Sequence, residues 1–200
     1  MWQIFVKGGW VMYPLAFCSV TALVVIIERT LFYIRFKGLD ERELNLLKLY
    51  LNKGKSDEAK QLLATWRSPL GLIVEAGLKQ RESDPELIET AMQSAGDQQM
   101  KRLQRGLHIL DTVVTASPLL GLLGTVTGII KAFTAISVGG ASQASQLGAG
   151  IAEALYNTAF GLAIAIPALF LVNIFYGIAE RKASEMSYKS QEILAILVKG

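Results

Sequence analysis

Ala-Ser-Pro-Leu-Leu-Gly-Leu-Leu-Gly-Thr-Val-Thr-Gly-Ile-Ile, residues 116–130, carries no charge, yet its apolar run is interrupted at regular intervals. Ser117, Gly121, Gly124 and Gly128 recur at spacings of four, three and four. That is a helical period, so the small residues form one stripe along one face. Apolar packing has little driving force inside lipid, and a small-residue stripe there lets two helix backbones approach closely. Thr125 lies beside the stripe, four residues after Gly121. A hydroxyl in hydrocarbon needs a partner: a neighbouring helix, a water-lined path or a carbonyl in its own preceding turn.

The rest of the chain agrees with a membrane reading. Of its 200 residues, 52% are hydrophobic and 18% charged, whereas soluble domains carry about a quarter charged residues. The net charge of +3 could suggest nucleic acid, but the basic residues flank apolar spans and form no aromatic-interleaved patch. Cys18 is the single cysteine and His108 the single histidine, so an intrachain disulfide is excluded and a zinc or haem site within the chain is not expected. No nucleophile–base pair points to an enzyme, and no cofactor is expected.

Gly8 to Ile27 runs about 20 residues without a charge, enough to cross a bilayer of roughly 30 Å. Trp2, Trp10 and Tyr13 gather at its start, as an interfacial aromatic belt does. The weak basic start, the long apolar run and the lack of an Ala-x-Ala site favour an uncleaved helix over a signal peptide. Met1 to Lys7 reads as a short surface helix, and Gly38 as a helix stop. Between Leu39 and Gln104 the character becomes soluble. Asp40 with Glu43 forms a capping box before Leu44, Leu47 and Leu51, and Gly54 ends that helix. Ser56 is a candidate cap for a second helix containing Leu62, Leu63 and Trp66, and Ser68-Pro69 for a third. Asp84-Pro85 repeats the start signal. With no strong breaker seen before Pro118, the expectation is one helix from Pro85 to Phe133, roughly 70 Å long.

The second span follows Lys101, Arg102 and Arg105 and precedes Lys131; a polar, glycine-rich stretch then joins it to a third span closed by Arg181 and Lys182. The basic flanks Arg29, Arg35 and Lys37, then Lys101, Arg102 and Arg105, then Arg181 and Lys182 fall on one side, with Lys7 and Lys131 on the other. The positive-inside rule predicts the N-terminus outside, with the soluble segment and the C-terminus inside. Pro14, Pro118 and Pro167 place a proline in or beside each span, as hinges or merely as fixed shape.

In the third span Ala154, Thr158, Gly161, Ala165 and Ala168 recur at four, three, four and three, a second small stripe suited to pack on the first. Thr125 lies six residues before Lys131, about 9 Å inward, and Thr158 five residues after Glu153, about 7.5 Å inward. The two hydroxyls are therefore expected at similar depth. Glu153 is the sole carboxylate between Asp111 and Glu180. It reads either as a functional acid at the membrane boundary or as a solvated acid favoured by the helix dipole. Asn157 shares its face.

Ser-Pro-Leu-Leu-Gly-Leu-Leu-Gly-Thr-Val-Thr-Gly-Ile, followed by Gly-Ile-Ala-Glu-Ala-Leu-x-x-Thr-Ala-x-Gly-Leu-Ala-x-Ala-Ile-Pro, resembles the signature of the ExbB/TolQ/MotA proton-channel family. Three spans rather than four make the chain most similar to the ExbB/TolQ branch. The resemblance implies an all-α membrane protein with long cytoplasmic helix extensions, assembled into a ring, with five subunits expected. The ring would surround the membrane helices of an ExbD/TolR-like single-span partner dimer whose aspartate carries the proton. It further implies a bacterial inner-membrane location, a possible TonB/TolA-like third protein, and use of the proton-motive force to energise outer-membrane transport. Nucleic acid is no part of it. The family's pore threonines map onto Thr125 and Thr158 and its glutamate onto Glu153, while Gly121, Gly124, Gly128, Gly161 and Ala165 are read as packing positions. Thr127 departs from the pattern, which has a bulkier apolar residue there. The expected layout is an N-terminal segment and first span (1–38), a cytoplasmic helical loop (39–104), the second span (105–136), a periplasmic turn (137–146), the third span (147–180) and a cytoplasmic tail (181–200). Alternative readings are a stator of another ion-driven motor, for envelope maintenance or gliding, and a membrane scaffold without ion flux.

Overall fold

An uncharged stretch in lipid must satisfy its backbone internally, and a helix is the local way to do so. The computed structural model describes residues 8–36, 41–65, 68–137 and 143–198, and among these the chain forms helices joined by turns, with no strand. In order they are α1 (Met12–Arg35), α2 (Glu41–Asn52), α3 (Ser56–Thr65), α4 (Pro69–Lys79), α5 (Pro85–Gln104), α6 (Leu107–Ser137) and α7 (Gln143–Leu197). Three stretches are long and apolar enough to cross a membrane: Met12–Arg35, Leu107–Thr134 and a segment within Leu147–Leu197. The expected features at Met1 to Lys7, Gly38, Asp40 and Trp66 lie outside the described residues.

Contacts divide the chain into two units. The first comprises α1 as far as Leu31 together with Gly106–Phe175. Many of its large apolar side chains point outward, among them Phe17, Val20 and Leu23 on α1, Leu119, Val126 and Phe133 on α6, and Leu155, Ile166 and Phe170 on α7, while Met12, Leu15, Leu107, Leu110 and Val172 are buried. Its interior holds small or polar groups such as Ser117, Ala154, Asn157 and Ala165. A surface this apolar fits lipid or another apolar helix, not water. Arg29 is buried and bonds the carboxylate of Glu28.

The second unit comprises Phe32–Arg105 and Tyr176–Gly200, and it is built as a soluble protein is. Leu44, Leu47 and Leu51 of α2, Ile73 and Val74 of α4, Ile88 and Met92 of α5, and Ile193 and Leu197 of α7 are buried. Gly54 ends α2 with φ +71, so that Lys55 N–H reaches the Tyr50 carbonyl at 3.0 Å. Ser68 caps α4, its hydroxyl accepting from Gly71 N–H at 3.1 Å, with Pro69 in the first turn. Ser56 opens α3, but its hydroxyl accepts from the Arg81 guanidinium. The Tyr33 hydroxyl donates to the Leu103 carbonyl at 2.8 Å. Lys48 of α2 pairs with Glu192 of α7, and this bond, joined by one from Tyr188, holds the Glu192 carboxyl below the usual carboxylate range. A depressed acid adds stability above its unfolded pKa and loses it as pH falls through the lower folded value.

One expectation changes. The single helix from Pro85 to Phe133 is two helices: Arg105 is extended at ψ 131, and Gly106 takes φ +79 before α6 begins. Glycine alone enters that region without strain, so a residue that looked like a mild interruption sets the boundary. Beyond residue 180 the chain stays helical, since α7 runs 55 residues without a break from Gln143 to Leu197. It already includes part of the segment read as the outer turn.

Gly106→Ala is expected to destabilise the protein by about 1 kcal/mol, because alanine is strained at that φ. Thermal unfolding in detergent reads this as a midpoint lowered by about 2–4 °C.

Candidate ion-pathway site

The two small stripes meet. A Cβ on Gly121 would lie 2.9 Å from the Asn157 carbonyl oxygen and 3.1 Å from Thr158 Cα. One on Gly128 would lie 3.0 Å from both Ala154 Cβ and the Gly150 carbonyl, and one on Gly161 would lie 2.5 Å from the Ser117 carbonyl. These neighbours are mostly backbone and cannot swing aside. The seam between α6 and α7 therefore exists only because these positions lack side chains. Ala154 and Ala165 complete the buried face on α7.

The threonines divide. Thr125 Oγ1 donates to the Leu122 carbonyl of its own helix at 2.6 Å, and Thr127 to Gly124 at 3.1 Å. Thr158 Oγ1 donates across the seam to the Gly121 carbonyl at 3.3 Å. Thr158 is thus level with Gly121, while Thr125 stands one turn further along α6, about 6 Å away along the axis. The similar depth expected from counting inward from charged flanks is offset by a turn, because the glycine contacts set the register. Both threonines are half-buried.

Glu153 sits toward the start of α7 on the seam, its side chain 17% exposed, with Lys131 Nζ 2.6 Å from its Oε1. Lys131 of α6 was read only as a flank; the structure makes it the partner of the acid. The pair lies in a cleft of about 480 Å³ lined also by Ala132, Ala149, Gly150, Ala152 and Tyr156. The chain ahead of α1 passes over it. Gly9 has φ +70, and any side chain there would strike the Glu153 carboxylate. Val11, Met12 and Leu15 anchor this cover on Leu120, Phe160 and Ile164.

One turn inward from Glu153 is Asn157, fully buried, with neither amide atom hydrogen-bonded among the described residues. Gly124 gives it room on α6, and Gly8 lies against its Oδ1 side. Leaving such a group unpaired costs about 1–3 kcal/mol. Ser117 Oγ is buried and unpaired in the same way. Sequence reasoning placed Asn157 on the Glu153 face but gave it no role, since nothing local predicts that a distant segment will cover it.

The profile of the MotA/TolQ/ExbB proton channel family matches residues 65–188, a range that contains Thr125, Lys131, Glu153, Asn157 and Thr158 but not the segment at Gly8–Leu15. A Synechocystis protein described as putative biopolymer transport protein ExbB-like 1 is 35% identical over 190 residues, covering 92% of this chain and 72% of that protein. A second Synechocystis protein, ExbB-like 3, is 33% identical over 189 residues, covering 93% and 90%. The Tol-Pal system protein TolQ of Pseudomonas aeruginosa is 31% identical over 205 residues, covering 94% and 86%.

Gly121→Ala is expected to destabilise the protein by about 1–3 kcal/mol, because its methyl meets backbone. Gly177→Ala, with nothing within 4 Å of the added carbon, is expected to be neutral or stabilising by up to about 1 kcal/mol through helix propensity. Thermal unfolding of the two variants side by side checks the contrast.

Proposed function

The chain belongs to the MotA/TolQ/ExbB proton channel family, and we propose that it is the stator subunit of an ExbB–ExbD-like or TolQ–TolR-like inner-membrane motor driven by the proton-motive force. In this reading several copies, expected to be five, form a ring around a dimer of single-span partners. The basic flanks support an outer N-terminus and an inner C-terminus. The second unit then lies on the cytoplasmic side and the segment between α6 and α7 on the periplasmic side. Force passes outward through the partner's periplasmic part, with a TonB/TolA-like protein as the further receiver, to energise outer-membrane transport.

One observation carries the reading. Hydroxyls lie within the spans, but the sole acid between Asp111 and Glu180, Glu153, stands at the outer part of the seam and is held by Lys131. Hydroxyls do not store a proton near neutral pH, so the proton carrier must come from another polypeptide. An aspartate on a partner helix supplies it, driven by about 2.3 kcal/mol per charge per 100 mV. Thr158 adds a chemical detail. Its hydroxyl proton is committed to Gly121, which leaves the oxygen free to act only as an acceptor. Lone pairs accept from a protonated carboxyl and repel an ionised one. This supports docking of the protonated acid at Thr158, the reverse of the reading from the hydroxyls alone, in which protonation releases the acid from Thr125 and Thr158. Thr125 and Glu153, at successive levels toward the outer side, are assigned to the same path.

The test is reconstitution of the chain with its partner in liposomes, with proton or sodium entry driven by an imposed voltage. Thr158→Ala is expected to cut flux about tenfold, the equivalent of one hydrogen bond of roughly 1.4 kcal/mol, while the complex still copurifies. Thr125→Val is expected to act in the same direction, and Glu153→Gln to lower flux while leaving partner binding intact. Full flux in both threonine variants removes the hydroxyls from the mechanism, and a wild-type complex that passes no ion supports a scaffold instead.

A further inference from the structure

We propose that Asn157 is a water-binding residue of the ion path, its amide holding water between the Glu153 mouth and the Thr158 hydroxyl. The assignment rests on the conduction reading above and adds a residue to it.

Three independent features point the same way. Asn157 is 0% exposed, and both its Nδ2 and its Oδ1 lack hydrogen-bond partners among the described residues. Its place on α7 is one turn inward of Glu153 and next to Thr158, so it fills the gap between the acid and the first hydroxyl that bridges the helices. Its two polar atoms face different walls. A Cβ on Gly124 would stand 2.7 Å from Nδ2, and one on Gly8 would stand 3.2 Å from Oδ1. The side chain packs against Gly124 of α6 with its Nδ2 edge on that side, and its Oδ1 lies on the side of Gly8. A group with a donor on one side and an acceptor on the other orders water along a line, as a proton path requires.

Packing does not explain the amide. Leucine has nearly the same shape and would fill this position with no polar group to satisfy, and such an exchange of an unpaired buried group is neutral or stabilising. In this proposal water enters when the bare backbone of Gly8 and Gly9, which closes the amide off beside Glu153, moves aside. Ser117 Oγ, unpaired near the Gly161 level of the same seam, continues the polar line inward.

The experiment uses the full chain with its partner in liposomes. Asn157→Leu is expected to keep or raise the thermal midpoint while flux falls about tenfold, the loss of one hydrogen bond to a bound water. Asn157→Ser, which keeps a polar group and leaves space for water, is expected to retain more flux than Asn157→Leu. Full flux in Asn157→Leu overturns the assignment. So does a lowered midpoint in both variants, which marks a structural amide. A second measurement is independent of activity: Asn157→Cys in a Cys18→Ser background is exposed to Ag⁺ and its modification read by mass. Reaction is expected, and a thiol untouched by Ag⁺ shows a dry site and overturns the assignment. If the wild-type complex conducts no ion, the conduction reading fails on its own, and the Ag⁺ result still decides whether water reaches Asn157.

Discussion

Backbone-to-backbone approach at Gly121, Gly128 and Gly161 is the constraint on which the membrane unit depends. Lipid offers no solvent penalty to drive helices together, so contact must come from close packing, and close packing here requires missing side chains. Once the α6 and α7 backbones touch at these levels, the register of everything else between them is set. Thr158 comes within reach of the Gly121 carbonyl. Lys131 and Glu153 are brought together across the two helices. Asn157 is pressed against Gly124. A slip of one residue would turn each of these groups toward a different neighbour.

The two units satisfy their polar groups by opposite means. The second unit uses the devices of a soluble protein: a serine cap at α4, a left-handed glycine at the end of α2, exposed pairs such as Lys55–Glu58 and Lys79–Glu75, and leucines inside. The membrane unit turns many of its leucines and phenylalanines outward and carries polar groups on the seam or beside it. There Thr125, Thr127 and Thr158 each donate to a carbonyl, and Glu153 pairs with Lys131. Asn157 and Ser117 stand outside this pattern. In a core that otherwise pairs its polar atoms, such exceptions identify where stability has been given up for something else.

Glycine does two different jobs in one chain. On the seam it removes bulk. At Gly106 it supplies a left-handed backbone where one helix stops and the next starts. At Gly9 it does both, since φ is +70 and a side chain would meet the Glu153 carboxylate. Composition does not separate these jobs, because a glycine in an apolar run reads the same whether it faces a helix, a turn or a carboxylate.

The sequence by itself determined the helical class, the three apolar stretches, the soluble segment with its start at Ser68-Pro69, and the two small stripes. All of these follow from local chemistry: charge, the helical period, and capping residues that act within one turn. Only the tertiary structure decided how the stripes are registered, and so why Thr158 bonds across the seam while Thr125 bonds its own helix. It also decided that Gly106 interrupts the expected long helix, that Lys131 faces Glu153, and that Asn157 is sealed under the segment preceding α1. The physical reason is range. A period repeats within a few residues and can be read along the chain, whereas register, cover and burial arise from contacts between residues dozens to more than a hundred positions apart.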